Sequence, residues 1–463
     1  MYDMQQFKGK TVAILGLSVE GIDSVHFFHS QGARVWCCDR RTKDELGDTY
    51  GELVLLVAGF QLGKGYLERL ERFDMVVRTP GMSLRLPELV SLRKNGKEIT
   101  SQTKLFFALC PAPIIGVTGT KGKGTTSTLI AQMIEEDGKT VWLGGNVGTP
   151  VLSKVRNIKQ SDTVVLELSS FQLEDCRQSP HIAVVLKTTQ EHLANQDTLA
   201  SNFHESREAY VEAKKSIVRY QKRNDVAILN ADDPTSTSFA TETTARIEYF
   251  SRNKQTMDAY VADHTVYVHE GKEVQKICSA SEIKLRGVHN LDNIAAASLA
   301  ARAVHVSWNA IVKAATAFEG LEHRLETVKT VNDVLYINDS FSTVPETAIA
   351  AIESFTEPII LIAGGSEKGS DFTQLGKAIA SHQVKVLIAV GLMTGRIVKA
   401  VKDAGYTGRI ITGARSMHEI VSFASHEATA GNVVLLSPAC ASFDMFKNYK
   451  ERGKLFKHEV SLL

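Results

Sequence analysis

Short runs rich in valine and isoleucine alternate with amphipathic helical patterns along most of this chain, and no other feature constrains its fold as strongly. A strand covered on both faces reads as a continuous apolar run, and parallel neighbours need helical crossovers, so the alternation predicts parallel α/β sheets. In the first third, TVAILGL (11–17) leads through Gly21 into a helix, RVWCCD (34–39) reads as the next strand and FDMVVRTPGM (73–82) as a later one. That third is predicted to be Rossmann-like. The apolar runs Leu53 to Phe60 and Ile359 to Ala363 also read as buried strands, far short of the ~20 residues that a membrane span needs.

At 463 residues the chain exceeds one hydrophobic core, and domains of roughly 100–200 residues suggest three units. The stretch Cys110-Pro111-Ala112-Pro113 interrupts the pattern, because proline restricts both itself and its predecessor. A linker is placed there. The second third carries strands at 114–119, 163–168, 181–188 and 225–232, and closes with a helix of about 20 residues from Asn290 onward. The last third carries strands at 334–339, 359–365, 384–391 and 433–439, with a boundary near Gly320. The expected division is therefore 1–110, 111–320 and 321–463.

Composition narrows the partners. Hydrophobic residues at 43%, charged residues at 23% and a net charge of +1 give no bias toward nucleic acid or a membrane surface, so small molecules are expected instead. Six cysteines without CxxC or paired spacing suggest neither a zinc site nor a disulfide framework, which fits a reducing cytoplasm. The first residues, MYDMQQFKGKTVAILGL, lack the apolar segment of an export signal.

The ten residues 117–126, VTGTKGKGTT, lie between a strand pattern and a helix pattern and hold three glycines, two lysines and four threonines. Strand, glycine-rich turn with lysine, then helix is how backbone N–H groups and a helix N-terminus make an anion hole. The GxxxxGK[ST] spacing is not met strictly: Val117 takes the first glycine position, and Gly124 follows Lys123, the hydroxyls arriving at Thr125 and Thr126. A phosphate site is still the expectation, built on Gly119, Thr120, Gly122, Lys123, Gly124, Thr125 and Thr126.

A triphosphate needs Mg²⁺ and hence oxygen ligands at the C-terminal ends of strands in the same sheet. Glu167, near the end of the apolar run TVVLEL, qualifies; Glu191 and His192 occupy the equivalent end of the next strand. Lys214 lies in a helical pattern, REAYVEAKKSIV, where two adjacent lysines read as a solvated face on composition alone. In the last third, Asp339 ends a strand and Lys368 sits in a second glycine-rich turn, either an anion pocket or ordinary turn chemistry.

The ordered set GTKGKGT (119–125), GGNVG (144–148), LELSSFQLE (166–174), EH (191–192), AYVEAK (209–214), GVHNLDN (287–293), EHRLE (322–326), INDS (337–340) and LLSPACASFDMFKNYKERG (435–453) resembles the Mur ligases of bacterial peptidoglycan synthesis, over essentially the whole chain. The resemblance implies an N-terminal domain for a UDP-sugar, a central ATPase and a C-terminal domain for the amino acid. It implies that ATP phosphorylates the carboxylate of UDP-N-acetylmuramoyl-L-alanine, and that the amine of D-glutamate displaces phosphate from the acyl phosphate.

By the same likeness Lys123, His192 and Lys214 would be catalytic, with Thr125, Glu167, His192 and Lys214 around two Mg²⁺ ions and Lys214 carbamylated. Asn290, Asn293, Arg324 and Asp339 would hold ATP. Gly16, Leu17, Ser18, Asp39 and Arg40 would face the uridine diphosphate, Asn146 and Ser169 the sugar and peptide, and Lys368, Ser442 and Tyr449 the glutamate. A cytoplasmic monomer is expected.

The chain departs from the family pattern in places. Phe341 stands where a lysine is usual, Lys187 where an asparagine is, Glu191 where an aspartate is, and Tyr449 where a phenylalanine is. Ligation of L-glutamate or another acceptor, a folylpolyglutamate synthase-like activity, and a silent nucleotide-binding module therefore remain as alternatives.

Overall fold

The structure is a computed structural model that describes residues 4–146, 150–189, 202–366 and 370–463. Three sheets organise those residues. The first holds β1 (Thr11–Leu15), β2 (Arg34–Asp39), β3 (Gly59–Leu62), β4 (Met75–Arg78) and β5 (Glu98–Ser101), in the order β3-β2-β1-β4-β5 and parallel throughout. This is a dinucleotide-fold order, with its switch point between β1 and β4.

The second sheet holds β6 (Ile114–Thr118), β7 (Val141–Gly145), β8 (Thr163–Glu167), β9 (Ile182–Val185), β10 (Val226–Asn230), β11 (Arg246–Ser251), β12 (Ala259–Ala262), β13 (Thr265–Glu270) and β14 (Glu273–Ser279), in the order β14-β13-β12-β11-β10-β9-β6-β8-β7. It is parallel from β7 to β12, and β13 and β14 add antiparallel at one edge. Residues 110–113 run between the helix Gln102–Leu109 and β6.

The third sheet holds β15 (Glu326–Val331), β16 (Val334–Asn338), β17 (Ile359–Gly364), β18 (Val384–Val390), β19 (Arg409–Thr412) and β20 (Val433–Leu436), in the order β15-β16-β20-β17-β18-β19, with β15 the antiparallel member. By packing, the chain forms two compact units: Met1–Ile283 with Val288–Ala317, and Phe318–Leu463 with Lys284–Gly287. The first unit contains two sheets, the second one.

Within the first unit a single apolar cluster crosses from one sheet to the other. It includes Phe7, Phe27, Phe28 and Leu105 on one side and Leu152, Leu173, Ile217 and Phe239 on the other. Polar bonds line the same seam. Arg78, 1% exposed, donates to Phe171 O at 2.9 Å and to Asp175 Oδ1 at 3.0 Å, and Lys104 reaches Asp175 Oδ2 at 3.1 Å. Asp23 accepts from Ser153 N and Oγ. A buried arginine of this kind is tolerable because Asp175 meets its charge and both terminal nitrogens are bonded, although Nε is buried without a partner. In the second unit, separate apolar clusters cover the two faces of the third sheet.

Two expectations are corrected. The run Leu53 to Phe60 is not one strand: the helix Asp48–Leu53 ends there, Leu55 is exposed, and β3 begins only at Gly59. Short apolar runs carry no period that separates a helix end from a strand. The helix expected from Asn290 is 15 residues, His289–Ala303, and stops before His305, whose φ of 60° is left-handed.

Candidate active site

All five residues of β6 are buried, which fixes the start of the turn that follows. Gly119 has φ 145° and Gly122 φ 87°, and Gly122 is the N-cap of the helix Lys123–Glu136. A side chain at either would meet structure: a Cβ on Gly119 would lie 2.7 Å from Leu186 Cβ, and one on Gly122 would strike Asn293 Oδ1. Lys123 Nζ folds over the turn and donates to Gly119 O at 3.1 Å and Thr120 O at 3.0 Å. Asn293 Oδ1 accepts from Thr126 Oγ1 at 3.3 Å while its Nδ2 donates to Asn290 Oδ1 at 2.9 Å, so the helix His289–Ala303 braces the turn. Thr125 is partly exposed on the same first helical turn, and Gly124 is buried.

The loop after β9 is tied to this turn. Thr120 N donates to Lys187 O at 2.9 Å, and Thr120 Oγ1 lies within hydrogen-bond distance of Thr189 O, Thr189 N and the Tyr210 hydroxyl. Tyr210 and Lys214 belong to the helix Arg207–Arg219, which buries both at 1% exposure. Lys214 is thus not on a solvated face. Its Nζ lies 4.6 Å from the Tyr210 ring centroid and donates to Thr118 Oγ1 at 3.2 Å and Gly119 O at 3.1 Å.

Glu167 ends β8, adjacent to β6, and is 2% exposed. Its Oε1 accepts from Asn146 Nδ2 at 2.9 Å, whereas Oε2 is buried without a hydrogen-bond partner. An unclaimed carboxylate oxygen beside this glycine-rich turn is the donor type that Mg²⁺ requires, so Glu167 fits such an ion. His192, Glu191 and Lys368 lie outside the described residues. Ser169 caps the short helix Ser170–Leu173 in a reciprocal box with Gln172, immediately after Glu167 and Leu168.

At the switch point of the first sheet, Gly16 has φ 87°, and a Cβ there would lie 2.6 Å from Thr79 Oγ1. Leu17 N donates to Asp39 Oδ2 at 2.7 Å, and Arg41 binds both Asp39 oxygens and Leu17 O. Burial works against the Asp39 charge, but the Arg41 and Leu17 donors outweigh it and hold the carboxyl below its ordinary range. Ser18 and Arg40 are exposed beside them. Arg41, which organises this corner, was not among the residues expected from sequence; its neighbour Arg40 was.

In the second unit Asp339 follows β16, accepting from Ser437 Oγ at 2.7 Å and Leu325 N at 3.2 Å, and burial pushes its carboxyl up to about 7. The Arg324 guanidinium lies over Phe341, whose ring meets Tyr449 edge-on at 5.1 Å. Ser442 is buried and opens the turn to Met445 and Phe446. Arg452, missed in the sequence because it sits in a charged helix, donates to Ser340 O, Ser340 Oγ and Cys440 O, fixing the segments that carry Phe341 and Ser442.

A dinucleotide-type sheet beside a phosphate-turn sheet with a buried acid and lysine defines a nucleotide-using enzyme of the α/β class. Family models match in the same order: a MurD-like N-terminal domain over residues 10–101, the Mur ligase middle domain over 117–301 and the Mur ligase glutamate ligase domain over 323–440. The chain belongs to the Mur ligase family. It is 41% identical to the UDP-N-acetylmuramoylalanine--D-glutamate ligase of Acetivibrio thermocellus, covering 99% of this chain and 97% of that one. It is 40% identical to the enzyme of the same name from Symbiobacterium thermophilum, covering 97% and 98%. Among solved structures, UDP-N-acetylmuramate-alanine ligase MurC from Thermotoga maritima superposes with a TM-score of 0.61 at 16% identity, covering 98% of this chain and 99% of that one. E. coli FolC gives 0.55 at 17% identity over 78% and 92%. At such identities these two likenesses speak to the fold.

Proposed function

We infer that the chain is an ATP-dependent ligase that joins D-glutamate to UDP-N-acetylmuramoyl-L-alanine, releasing ADP and phosphate. The observation that carries this reading is the likeness to D-glutamate ligases along nearly the full length of both partners. In the division of labour we propose, residues 1–110 take the UDP-sugar, 111–320 take ATP and 321–463 take the amino acid.

The reaction needs charge neutralisation and alignment more than covalent help from the protein. The substrate carboxylate attacks the γ-phosphorus and ADP leaves; the glutamate amine then attacks the acyl carbon, and phosphate leaves as the amide forms and a proton is lost. Lys123, Gly119, Thr120, Gly122, Gly124, Thr125 and Thr126 would hold the β and γ phosphates, the backbone N–H groups and the ammonium meeting charge as it moves. Mg²⁺, held by Thr125, Glu167 and His192, would screen the phosphate oxygens; a second ion would need Lys214 as its carbamate. Asn290, Asn293, Arg324 and Asp339 are assigned to the remainder of ATP, and Lys368, Ser442 and Tyr449 to glutamate. Gly16, Leu17, Ser18, Asp39 and Arg40, with Arg41 added, are assigned to the uridine diphosphate, and Asn146 and Ser169 to the sugar and peptide. Among the described residues no helix is long and apolar enough to cross a membrane. We place the enzyme in the cytoplasm as a monomer.

The test is ADP release with UDP-N-acetylmuramoyl-L-alanine and either D- or L-glutamate. Turnover with the D form is expected. Turnover with the L form alone would transfer the specificity to the Phe341 segment, and silence with both would overturn the ligase reading.

A further inference from the structure

One acid at the seam of the first unit has no place in the chemistry above. Glu20 lies in the first turn of the helix Val19–Ser30, directly after the turn 16–18 assigned to the diphosphate. Its Oε1 accepts from Gln172 Nε2 at 2.6 Å. Gln172 is 3% exposed, and its own Oε1 accepts from Ser169 N at 2.8 Å. A continuous bonded path therefore runs from the first sheet's switch point to the turn that follows Glu167. Beside it Gln102 Nε2 donates to Glu20 O and Asp23 Oδ2, and Asp23 accepts from Ser153. Glu20 Oε2 is sealed from solvent with no hydrogen-bond partner.

We propose that Glu20 is a positioning residue that registers the diphosphate-binding turn of the first domain against the Ser169 turn of the central one, and that it does so as the neutral acid. The proposal rests on the substrate reading above. Carboxylate alone is a poor occupant of this place. The charged groups facing it are Arg78 from β4, already committed to Phe171 O, Met82 O and Asp175, and Asp23 one turn along its own helix, which repels. Burial is the largest influence and, against the Gln172 bond and Arg78, pushes the Glu20 carboxyl up to about 7. A neutral acid keeps the bond to Gln172 through its carbonyl oxygen. Ionisation leaves a charged oxygen unpaired in the seam and adds a negative charge beside a dianionic ligand. A bound diphosphate therefore favours the protonated form, and affinity falls as pH rises through about 7.

Wild-type, Glu20→Gln and Glu20→Ala enzymes would be assayed for ADP release between pH 6 and 8.5, with KM for the UDP-substrate and for ATP resolved separately. Wild-type KM for the UDP-substrate should climb about threefold to tenfold across that range, one pKa unit being a tenfold effect. Glu20→Gln, neutral at every pH and able to accept from Gln172, should keep the low-pH KM throughout. Glu20→Ala should raise that KM about tenfold at pH 6 with KM for ATP unchanged. A Glu20→Gln profile that climbs in parallel with wild type overturns the proposal, as does a wild-type profile that is flat. Should Glu20→Ala fail to fold, the wild-type and Gln profiles decide. Absence of turnover in wild type would overturn the ligase reading; the pH dependence of UDP binding by calorimetry, wild type against Glu20→Gln, would then test Glu20 by the same two outcomes.

Discussion

The guanidinium of Arg324 lies 3.9 Å from the centroid of the Phe341 ring, a cation seated on an aromatic face. Arg324 is assigned to ATP, so the ring fixes one of its grips. Such a contact is worth about 0.5–2 kcal/mol. Phe341→Ala should raise KM for ATP about threefold to tenfold and leave kcat within about twofold, while Phe341→Tyr keeps both. Steady-state kinetics in ATP decide this; an unchanged KM in Phe341→Ala would mean that the ring serves another ligand.

Lys214 holds Thr118 Oγ1 and Gly119 O, two acceptors at the mouth of the phosphate turn. Its removal takes one donor from each, leaving Gly119 O to Lys123 and Thr118 Oγ1 to Leu168 O, and deletes the group assigned to the second ion. Lys214→Ala should lose about 100-fold or more in kcat and melt earlier by the equivalent of about 1–3 kcal/mol. Added short carboxylates should restore part of the rate, since a small anion can occupy the space of a carbamate. Full activity in the variant would return Lys214 to a structural role only.

Glu167 offers one oxygen to Asn146 and leaves the other unclaimed. Glu167→Gln keeps the shape and removes the charge. Its melting temperature should not fall, because an unpaired buried charge disappears, yet kcat should drop about 100-fold and half-saturation by Mg²⁺ should move upward. A variant that titrates with Mg²⁺ like wild type would take Glu167 off the metal.

Asp39 titrates low because the donors from Arg41 and Leu17 overcome the burial that opposes its charge. A carboxyl depressed in the folded state stabilises above its unfolded value of 3.8, and that contribution is lost as pH falls through the folded one. Asp39→Asn should therefore lower stability at pH 7 by about 1–2 kcal/mol, and the gap to wild type should close in acid below pH 3.8. Melting curves at both pH values give the answer; a gap that persists undiminished in acid would assign the loss to packing.

Much of this architecture was legible because parallel strands are written as uninterrupted apolar runs. RVWCCD is β2 residue for residue, and IIGVTG, TVVLEL and VVLLSPA each contain their strand with one to three extra residues at the end. Among the described residues nine strands escaped, β3, β5, β7, β11, β12, β13, β14, β15 and β19, and six of them, β3, β5, β7, β14, β15 and β19, are the edges of their sheets. In β3 and β19 no residue is fully buried, and in β12 buried and partly buried positions alternate. GFQL and RIIT carry polar residues and so lack the uninterrupted apolar run that the reading relied on, while AYVA is apolar throughout but only four residues long. Lys214 looked like surface until the helix Arg207–Arg219 turned it toward Thr118, since adjacent lysines cannot say which of them faces inward. Arg41 and Glu20 were hidden for the opposite reason. Each is an ordinary charged residue in a turn or a first helical turn, and only the tertiary fold supplies the partner, Asp39 or Gln172, that gives it a task.

The apolar cluster that joins the first two sheets bears on how the molecule comes apart. Phe7, Phe28 and Leu105 share one interior with Leu152, Leu173 and Phe239. A cut near residue 110 would strip oil from both halves at once, and neither fragment would be a soluble module in its own right. Heat should therefore melt the two sheets in one calorimetric transition, although sequence families treat them as separate inheritances. The segment 318–463, which encloses its sheet between two interiors of its own, has the anatomy of a piece that could be expressed alone.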